Sequence, residues 1–285
     1  MNRRKFVQIL SASPFMYPII IEYVKPCPPI GLQLWSVRDD MKKDTVGTLK
    51  KVKKMGYKYV EGGASYSEGK FYNFAPHAFK NLLSDIGLEM PIGHNMLSLK
   101  DDGKNMSDAF KLAVDCAKEI GQNIMINPWV FDEERSEGLR LAEMMNRAGE
   151  YLQKYDMQLG YHNHVYEFKK YQTEKILLQE LLDNTDPVFV HFQLDVYWAE
   201  LAGYPATNLL QRYPTRFKWL HIKDMANTEK RETIEVGLGT LPIQQIIDVA
   251  QKISIERYII ELEDYQTTPL EGVKLSAKKF KKYKF

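Results

Sequence analysis

Two stretches in the second half of the chain decide the fold: residues 188–195, which read VFVHFQLD, and residues 217–224, which read FKWLHIKD. Each is a short run rich in β-branched and aromatic residues that ends in polar side chains, a pattern typical of a buried strand. The segment between them is long enough for a crossover helix and two loops. The pair therefore predicts a strand–helix–strand unit with parallel strands.

The same unit repeats along the chain. Further strand candidates begin near positions 30, 57, 90, 123, 157 and 257, so that successive starts lie roughly 27 to 40 residues apart. Helices are predicted between them, one capped by Asp44 and ended by Gly56, another capped by Ser107 and ended by Gly121. Residues 139–155 also show helical spacing of apolar side chains.

Eight such units in about 255 residues predict a single-domain α/β protein, a (β/α)8 TIM barrel over residues 30–285. An open doubly wound sheet is the alternative, but no Gly-x-Gly-x-x-Gly sequence follows the first strand to hold a dinucleotide. In a TIM barrel the active site forms where the strands end in loops. The side chains at the carboxyl ends of the strands are therefore the candidates for function.

Composition excludes several classes of protein. The 285 residues are 44% hydrophobic and 27% charged, with 39 basic and 37 acidic side chains, which is typical of a folded globular chain. A formal net charge of +2 gives no basic surface of the kind that binds nucleic acid. Two cysteines exclude a disulfide scaffold. No uncharged apolar run is long enough to span a membrane.

The first 29 residues differ from the rest. Residues 2–8 (NRRKFVQ) place paired arginines before an apolar run, and a proline-rich spacer follows at residues 25–29. This pattern is similar to a twin-arginine export signal and predicts a periplasmic protein with a leader over residues 1–29. The alternative is an N-terminal extension on a cytoplasmic protein.

The predicted strand ends are rich in metal-binding side chains. Because residues two apart share one face of a strand, one inward-facing ligand from each of strands five to eight can be chosen. The resulting set is His162, Asp195, His221 and Glu261. Mixed imidazole and carboxylate donors suit one divalent ion such as Mn²⁺, Zn²⁺, Co²⁺ or Fe²⁺. His164 and Glu167 remain alternatives to His162 as the ligand from strand five.

At these residues the sequence resembles the sugar phosphate isomerase/epimerase superfamily, the xylose isomerase-like barrels, and within it a subgroup with a YHNH motif. The resemblance covers nearly all of the chain from Ile30. It is carried by residues 31–39 (GLQLWSVRD), 55–61 (MGYKYVE), 161–168 (YHNHVYEF), 194–198 (LDVYW), 221–224 (HIKD), 237–239 (GLG) and 260–261 (IE).

In ketose epimerases of the superfamily, Glu, Asp, His and Glu from strands five to eight hold a divalent metal, and the two glutamates move protons. The resemblance implies these roles for Asp195, His221 and Glu261, whereas the position on strand five reads His162 instead of glutamate. This departure removes one of the two opposed carboxylates that an epimerase uses, unless Glu167 or Glu61 reaches the substrate.

The chemistry expected of such a site is abstraction of a proton next to a carbonyl, which leads to an enediolate. Isomerisation or epimerisation of a sugar or keto-sugar is the leading hypothesis, and elimination from a 3-keto-glycoside is an alternative. A sugar-binding barrel without catalysis is a third possibility, and an apurinic endonuclease is disfavoured by the charge balance. The sequence does not determine the oligomeric state, although barrels of this family often form homodimers.

The candidate residues divide by role. The base is expected to be Glu261 or Glu167, and His164 or Lys223 is expected to protonate or hold a substrate oxygen. The candidates for substrate binding are Glu61, His94, Trp35, Tyr197 and Trp198.

Overall fold

The computed structural model describes residues 26–62, 69–99, 106–253 and 255–285. Most of the leader predicted for residues 1–29 therefore lies outside the described residues. The barrel is formed by eight of the strands: β1 (Ile30–Gln33), β2 (Tyr59–Gly62), β3 (Glu89–His94), β4 (Ile124–Asn127), β5 (Gln158–His162), β6 (Val190–Asp195), β7 (Phe217–Ile222) and β10 (Arg257–Ile260). A short hairpin of β8 (Asp224–Met225) and β9 (Thr233–Ile234) follows β7.

The eight barrel strands are parallel and close into a ring in the order β1-β10-β7-β6-β5-β4-β3-β2. The ring is surrounded by helices: α1 (Arg38–Lys43), α2 (Thr45–Met55), α3 (Pro76–Ile86), α4 (Asp108–Ile120), α5 (Gly138–Gln153), α6 (Leu177–Asn184), α7 (Val196–Leu201), α8 (Ala206–Arg212), α9 (Ile243–Lys252) and α10 (Pro269–Phe280). The predicted TIM barrel is confirmed. Within the described ranges, no helix has the length and apolar character needed to cross a membrane.

The predicted helix caps are also confirmed. The Asp44 carboxylate accepts a hydrogen bond from the Gly47 amide at 2.8 Å at the start of α2, and the Ser107 hydroxyl accepts one from Phe110 at 3.1 Å at the start of α4. Gly56 and Gly121 end these helices with φ of 95° and 94°, a left-handed conformation that favours glycine.

Several strands are shorter than predicted. The first ends at Gln33 because its side-chain carbonyl accepts a hydrogen bond from the Trp35 amide at 3.1 Å, which turns residues Leu34–Val37 into a 3₁₀ helix. The second begins at Tyr59 because Tyr57 belongs to the outer core, where its hydroxyl donates to the Val273 carbonyl at 2.8 Å. The first adjustment moves the carboxyl end of β1 back to Gln33, so that Trp35 lies beyond the strand.

The lower part of the barrel interior is a closed apolar layer. The largest side chains in this layer are those of Tyr59 and Trp219. The positions next to their rings are occupied by glycine. A Cβ atom on Gly31 would lie 2.2 Å from the Tyr59 ring, and one on Gly160 would lie 2.6 Å from the Trp219 ring. The barrel is therefore filled beneath its carboxyl end, as in other TIM barrels.

Above this layer the interior is polar. Seven of the eight barrel strands supply a polar side chain there, at or just beyond the strand end, while β4 supplies Ile126 to the apolar layer instead. The polar side chains are Gln33, Glu61, His94, His162, Gln193, His221 and Glu261.

Candidate metal centre and substrate cavity

Four of the predicted metal ligands converge at the carboxyl end of the barrel. One donor atom each from His162, Asp195, His221 and Glu261 lies within 4.8 Å of the others, and all four side chains are buried. Strand register brings them together, because Asp195 pairs with His221 and each side chain points inward at the end of its strand. Alternation along each strand thus predicts this group correctly as a spatial cluster, while its role as a metal site remains a proposal.

His221 joins two carboxylates. Its Nδ1 lies 2.9 Å from Glu261 Oε2, and its Nε2 forms a close hydrogen bond with Glu61. Burial disfavours the charged imidazole, but the two glutamates outweigh it and raise the pKa of His221 to about 10. The ring is therefore cationic when only protein groups surround it.

Glu61 anchors the ligands from below. Its carboxylate accepts hydrogen bonds from the amide groups of Gln33 at 2.9 Å and Gln193 at 2.8 Å, besides its contact with His221. The Gln193 carbonyl oxygen in turn lies 3.0 Å from Nδ1 of His162. Glu61 thus fixes His221 directly and His162 through Gln193, as carboxylates behind metal-binding histidines commonly do.

Lys223 is a fully buried cation beside the ligands. Its Nζ lies 3.0 Å from Asp195 Oδ2 and 2.9 Å from Glu261 Oε2, and it also donates to Glu263 at 2.5 Å. Burial opposes the charge, but the three carboxylates raise the pKa of Lys223 well above its usual range. The ammonium group therefore stays charged and acts as a hydrogen-bond donor and ion-pair partner to these carboxylates.

The residues fit a divalent cation. Asp195 Oδ2 is buried and accepts no hydrogen bond, since Lys223 approaches it at an angle unsuited to one. Burial raises the pKa of Asp195 to about 6, even though Lys223 and His221 act in the opposite direction. Asp195 Oδ2 is thus paired by charge with Lys223 but has no hydrogen-bond donor, and the nitrogen and oxygen donors around it match the preferences of transition-metal ions. The buried His, Asp and Glu group can therefore hold a metal ion.

A cavity of about 1000 Å³ opens above this group. His94, His162, His164, Glu261 and Glu263 form its polar floor, and Trp198 and Trp129 stand beside them. Burial lowers the pKa of His164 to about 3, so its imidazole is neutral and can accept a hydrogen bond from a ligand. Trp35 lines the outer part of the cavity, and its role in substrate binding stays a prediction.

Four residues predicted to act in catalysis or to bind substrate lie outside the cavity lining: Glu61, Glu167, Tyr197 and the buried Lys223. Glu61 is completely buried beneath the ligands and does not line the cavity, which does not fit direct contact with a substrate. Tyr197 is 4% exposed and donates its hydroxyl proton to the Arg231 carbonyl at 2.9 Å, behind the cavity wall. Glu167 is also outside the lining.

The 3₁₀ turn Tyr166–Phe168 explains the position of Glu167. It directs the carboxylate into the protein, where it accepts hydrogen bonds from the Tyr161 hydroxyl at 2.5 Å and the His164 amide at 2.8 Å. Burial raises the pKa of Glu167 to about 7, although these hydrogen bonds act against the shift. Glu167 thus supports the loop that carries His164 and is not placed to take a proton from a ligand in the cavity.

Sequence reasoning overlooked the two amides that organise the centre. Gln33 and Gln193 both bind Glu61, and Gln193 also lies 3.2 Å from Nε2 of His94. Their spacing offered a signal, since each shares the inward face of its strand with a residue of the barrel interior. Glu263, which lines the cavity and pairs with Lys223, is two residues beyond Glu261 and shares its face for the same reason.

Comparison with known proteins agrees with the fold. Residues 49–283 match the family described as the xylose isomerase-like TIM barrel, and the chain belongs to that family. A solved structure of a sugar phosphate isomerase/epimerase from Parabacteroides distasonis superposes with a TM-score of 0.76 at 30% identity, covering 93% of this chain and 97% of that one. A second such protein from the same organism gives a TM-score of 0.75 at 26% identity, with 88% and 96% covered.

A curated relative is an inosose dehydratase of Geobacillus kaustophilus, 29% identical over 155 residues, which are 48% of this chain and 49% of that protein. The chain thus spans about half the length of this curated relative.

Proposed function

We propose that this protein is a metal-dependent enzyme that removes a proton next to the carbonyl of a sugar or a related cyclic polyol. The observation that carries the proposal is the cluster of His162, Asp195, His221 and Glu261, of which His162 and Glu261 line the floor of a large cavity. The names of its relatives, inosose dehydratase and sugar phosphate isomerase/epimerase, support a substrate of this kind. The metal is expected to be Mn²⁺, Zn²⁺, Co²⁺ or Fe²⁺.

The cluster would hold the metal through the two imidazoles and the two carboxylates. When bound, the ion would stabilise the negative charge that develops on substrate oxygens as the proton leaves. Glu261 is the carboxylate best placed as the base, because it reaches the cavity floor and lies beside the ligand cluster. His164, neutral and facing the same space, would accept a hydrogen bond from a substrate hydroxyl.

Elimination is the reaction that these side chains support best. Glu261 would take the proton from carbon, the electron pair of that C–H bond would form a C=C bond, and the neighbouring C–O bond would break. Lys223, 2.9 Å from Glu261, does not line the cavity, so its proton would reach the departing oxygen through Glu263, which it contacts and which does line the cavity. Base and acid are thus adjacent, as loss of water or of an alcohol from one face of the substrate requires.

Isomerisation or epimerisation is the second candidate, favoured by the nearly full-length similarity to the P. distasonis structures. An epimerase with two bases needs them on opposite sides of the substrate. In the cavity lining described here the carboxylates are Glu261 and Glu263, two residues apart on one side, and His162 stands where a second glutamate would be needed. This arrangement favours elimination.

The test is a reaction in D₂O. Protein freed of metal and reloaded with Mn²⁺, Zn²⁺, Co²⁺ or Fe²⁺ is incubated with keto-inositol, a ketohexose and a methyl 3-keto-glucoside, followed by NMR and mass spectrometry. We expect metal-dependent loss of water or methanol from the keto-inositol or the glycoside. Deuterium uptake without loss of either would support the isomerase or epimerase instead. Metal and sugar binding without any exchange would identify a binding protein, and failure to take up any of the metals would overturn the proposal.

A further inference from the structure

We propose that the outer half of the cavity is a second binding subsite, which holds another ring linked to the sugar at the floor. The inference rests on the proposed function for the identity of the first ring only. The second ring would be a sugar or an aromatic group, since both present an apolar face.

The cavity is larger than one sugar ring requires. Its volume of about 1000 Å³ lies at the upper end of the range of roughly 300 to 1000 Å³ found for sites that enclose drug-sized ligands. The ligand cluster occupies only the floor. A single ring bound there would leave the space beside Trp35 filled with water.

The outer wall has the composition of a stacking surface. It is built from the segment after β1 and from residues 70–73, and its aromatic members are Trp35 and Tyr72. Trp35 is 52% exposed although it lines a cavity. Exposure of a large aromatic side chain to water inside a cleft costs free energy. Stacking of a ligand ring on it removes that apolar surface from water and is favourable.

Trp35 is held in place without a ligand. The Arg38 guanidinium lies 4.8 Å from the centre of the indole and donates a hydrogen bond to the Trp35 carbonyl at 3.1 Å. Residues 34–37 are also fixed by the 3₁₀ turn that Gln33 begins. An aromatic surface ordered in advance loses little entropy on binding.

A strained turn supplies Tyr72 and Asn73 to the same wall. Tyr72 and Asn73 have φ of 48° and 69°, and they are enclosed by two backbone hydrogen bonds of 2.8 Å between Phe71 and Phe74. Asparagine tolerates this left-handed conformation, whereas tyrosine does so at a cost in free energy. Tyr72 nevertheless occupies the position and lines the cavity, where its ring packs 5.5 Å from that of Phe79.

The charges that line the outer half of the cavity indicate which kind of second ring can bind there. The outer half is lined by Arg38, Lys42 and Lys70, whereas the acidic lining residues Glu261 and Glu263 are at the floor. Asp39 offsets part of this charge by pairing with Lys42 at 3.9 Å. A neutral or anionic ring therefore suits the subsite, and a cationic one does not.

The experiment measures binding by calorimetry, with glucose, phenyl β-glucoside and cellobiose as probes and with the metal-loaded full chain. We expect the two larger probes to bind more tightly than glucose, and Trp35→Ala to weaken their binding about tenfold while leaving that of glucose unchanged. Trp35→Phe should retain most of the gain. Phe131→Ala, which removes a ring that is 39% exposed and outside the cavity lining, is the matched control and should change neither.

The outcomes separate this subsite from the proposed reaction. Equal affinity of the wild-type protein for all three probes, or an equal loss for all three in Trp35→Ala, would overturn the subsite. Selective loss for phenyl β-glucoside alone would assign an aromatic ring, and selective loss for cellobiose a sugar. Because no turnover is measured, an inactive enzyme that shows these affinities would contradict only the proposed function.

Discussion

Glu61 and Glu261 contact the two ring nitrogens of the same imidazole, that of His221, but they differ in function. Glu261 reaches the cavity, whereas Glu61 is sealed beneath the ligands. Variants of the two residues therefore distinguish the effect of a group that contacts the substrate, Glu261, from that of a group that acts through His221, Glu61.

Replacing Glu61 by glutamine should weaken metal binding about 10–100-fold, because one acceptor oxygen is replaced by an NH₂ group. The side chain can then no longer accept hydrogen bonds through both atoms, from His221 and Gln33 on one side and Gln193 on the other. The dissociation constant of Mn²⁺, and the visible spectrum of the Co²⁺ form, would report the change. The matched control is Glu235→Gln, another buried carboxylate, which accepts a hydrogen bond from the Gln266 amide at 3.1 Å. Equal metal affinity in the Glu61 variant and the wild type would contradict the role.

Glu261→Gln should remove both a metal ligand and the base, so we expect turnover to fall at least about 100-fold, together with weaker metal binding. Steady-state kinetics at saturating Mn²⁺ separates the two effects. Glu263→Gln is the comparison, since it leaves the four ligands and the base intact and removes only the group that would carry the proton of Lys223. Full turnover in Glu261→Gln would refute its assignment as the base.

For individual residues, the sequence predicted the direction of side chains that share one face of a strand. It did not predict the direction of side chains that follow a turn. Alternation sufficed for His162, Asp195 and Glu261. It could not place Glu167, because the turn after β5 reverses its direction toward Tyr161. Nor could it identify the amide of Gln33 as a partner of Glu61, because that pairing requires the ring of strands to be closed.

Among the secondary-structure elements, strand β5 shows how closely the barrel interior is packed. Gly160 lies between Ile126 and Trp219, where an added Cβ would approach Ile126 Cδ1 to 2.3 Å. The sequence indicated a strand here but gave no reason for glycine within it, since the neighbours that require it come from β4 and β7.

Gly160→Ala should therefore lower the free energy of unfolding by about 1–3 kcal/mol through overpacking. Urea unfolding measures the loss. In the double variant with Ile126→Val, which deletes the crowding methyl group, we expect part of this stability to return. Strict additivity of the two single changes would show that they do not share this contact.

For the whole molecule, acid stability should depend on His191. Burial lowers its pKa to about 4, with Lys218 acting in the same direction, whereas the unfolded chain has a histidine pKa of about 6.5. The unfolded state binds the proton first, so the stabilisation is present above about pH 6.5 and is lost as the pH falls toward 4.

His191→Gln should therefore flatten the fall in unfolding free energy between about pH 6.5 and 4. Because the ring is partly exposed, we expect the difference between the two proteins to change by only about 1–2 kcal/mol. Urea midpoints at pH 7 and pH 4.5 test this, and parallel pH profiles for the two proteins would contradict it.

The overall architecture was the most predictable part, because repetition of one strand–helix unit leaves few ways to cover a parallel sheet. What the chain does with its cavity was less accessible, since the outer wall joins Trp35 to Tyr72 through loops whose shape no periodicity reveals. The export leader remains a prediction.

The closure of the barrel has a consequence for biosynthesis. The seam is the pairing of the first strand, at Ile30–Gln33, with the last, at Arg257–Ile260, and Glu261 follows directly after it. Contacts this distant in sequence form late in folding. A nascent chain on the ribosome therefore lacks one of the four proposed metal ligands until its final strand has been translated and released, so that acquisition of an ion would mark the end of synthesis.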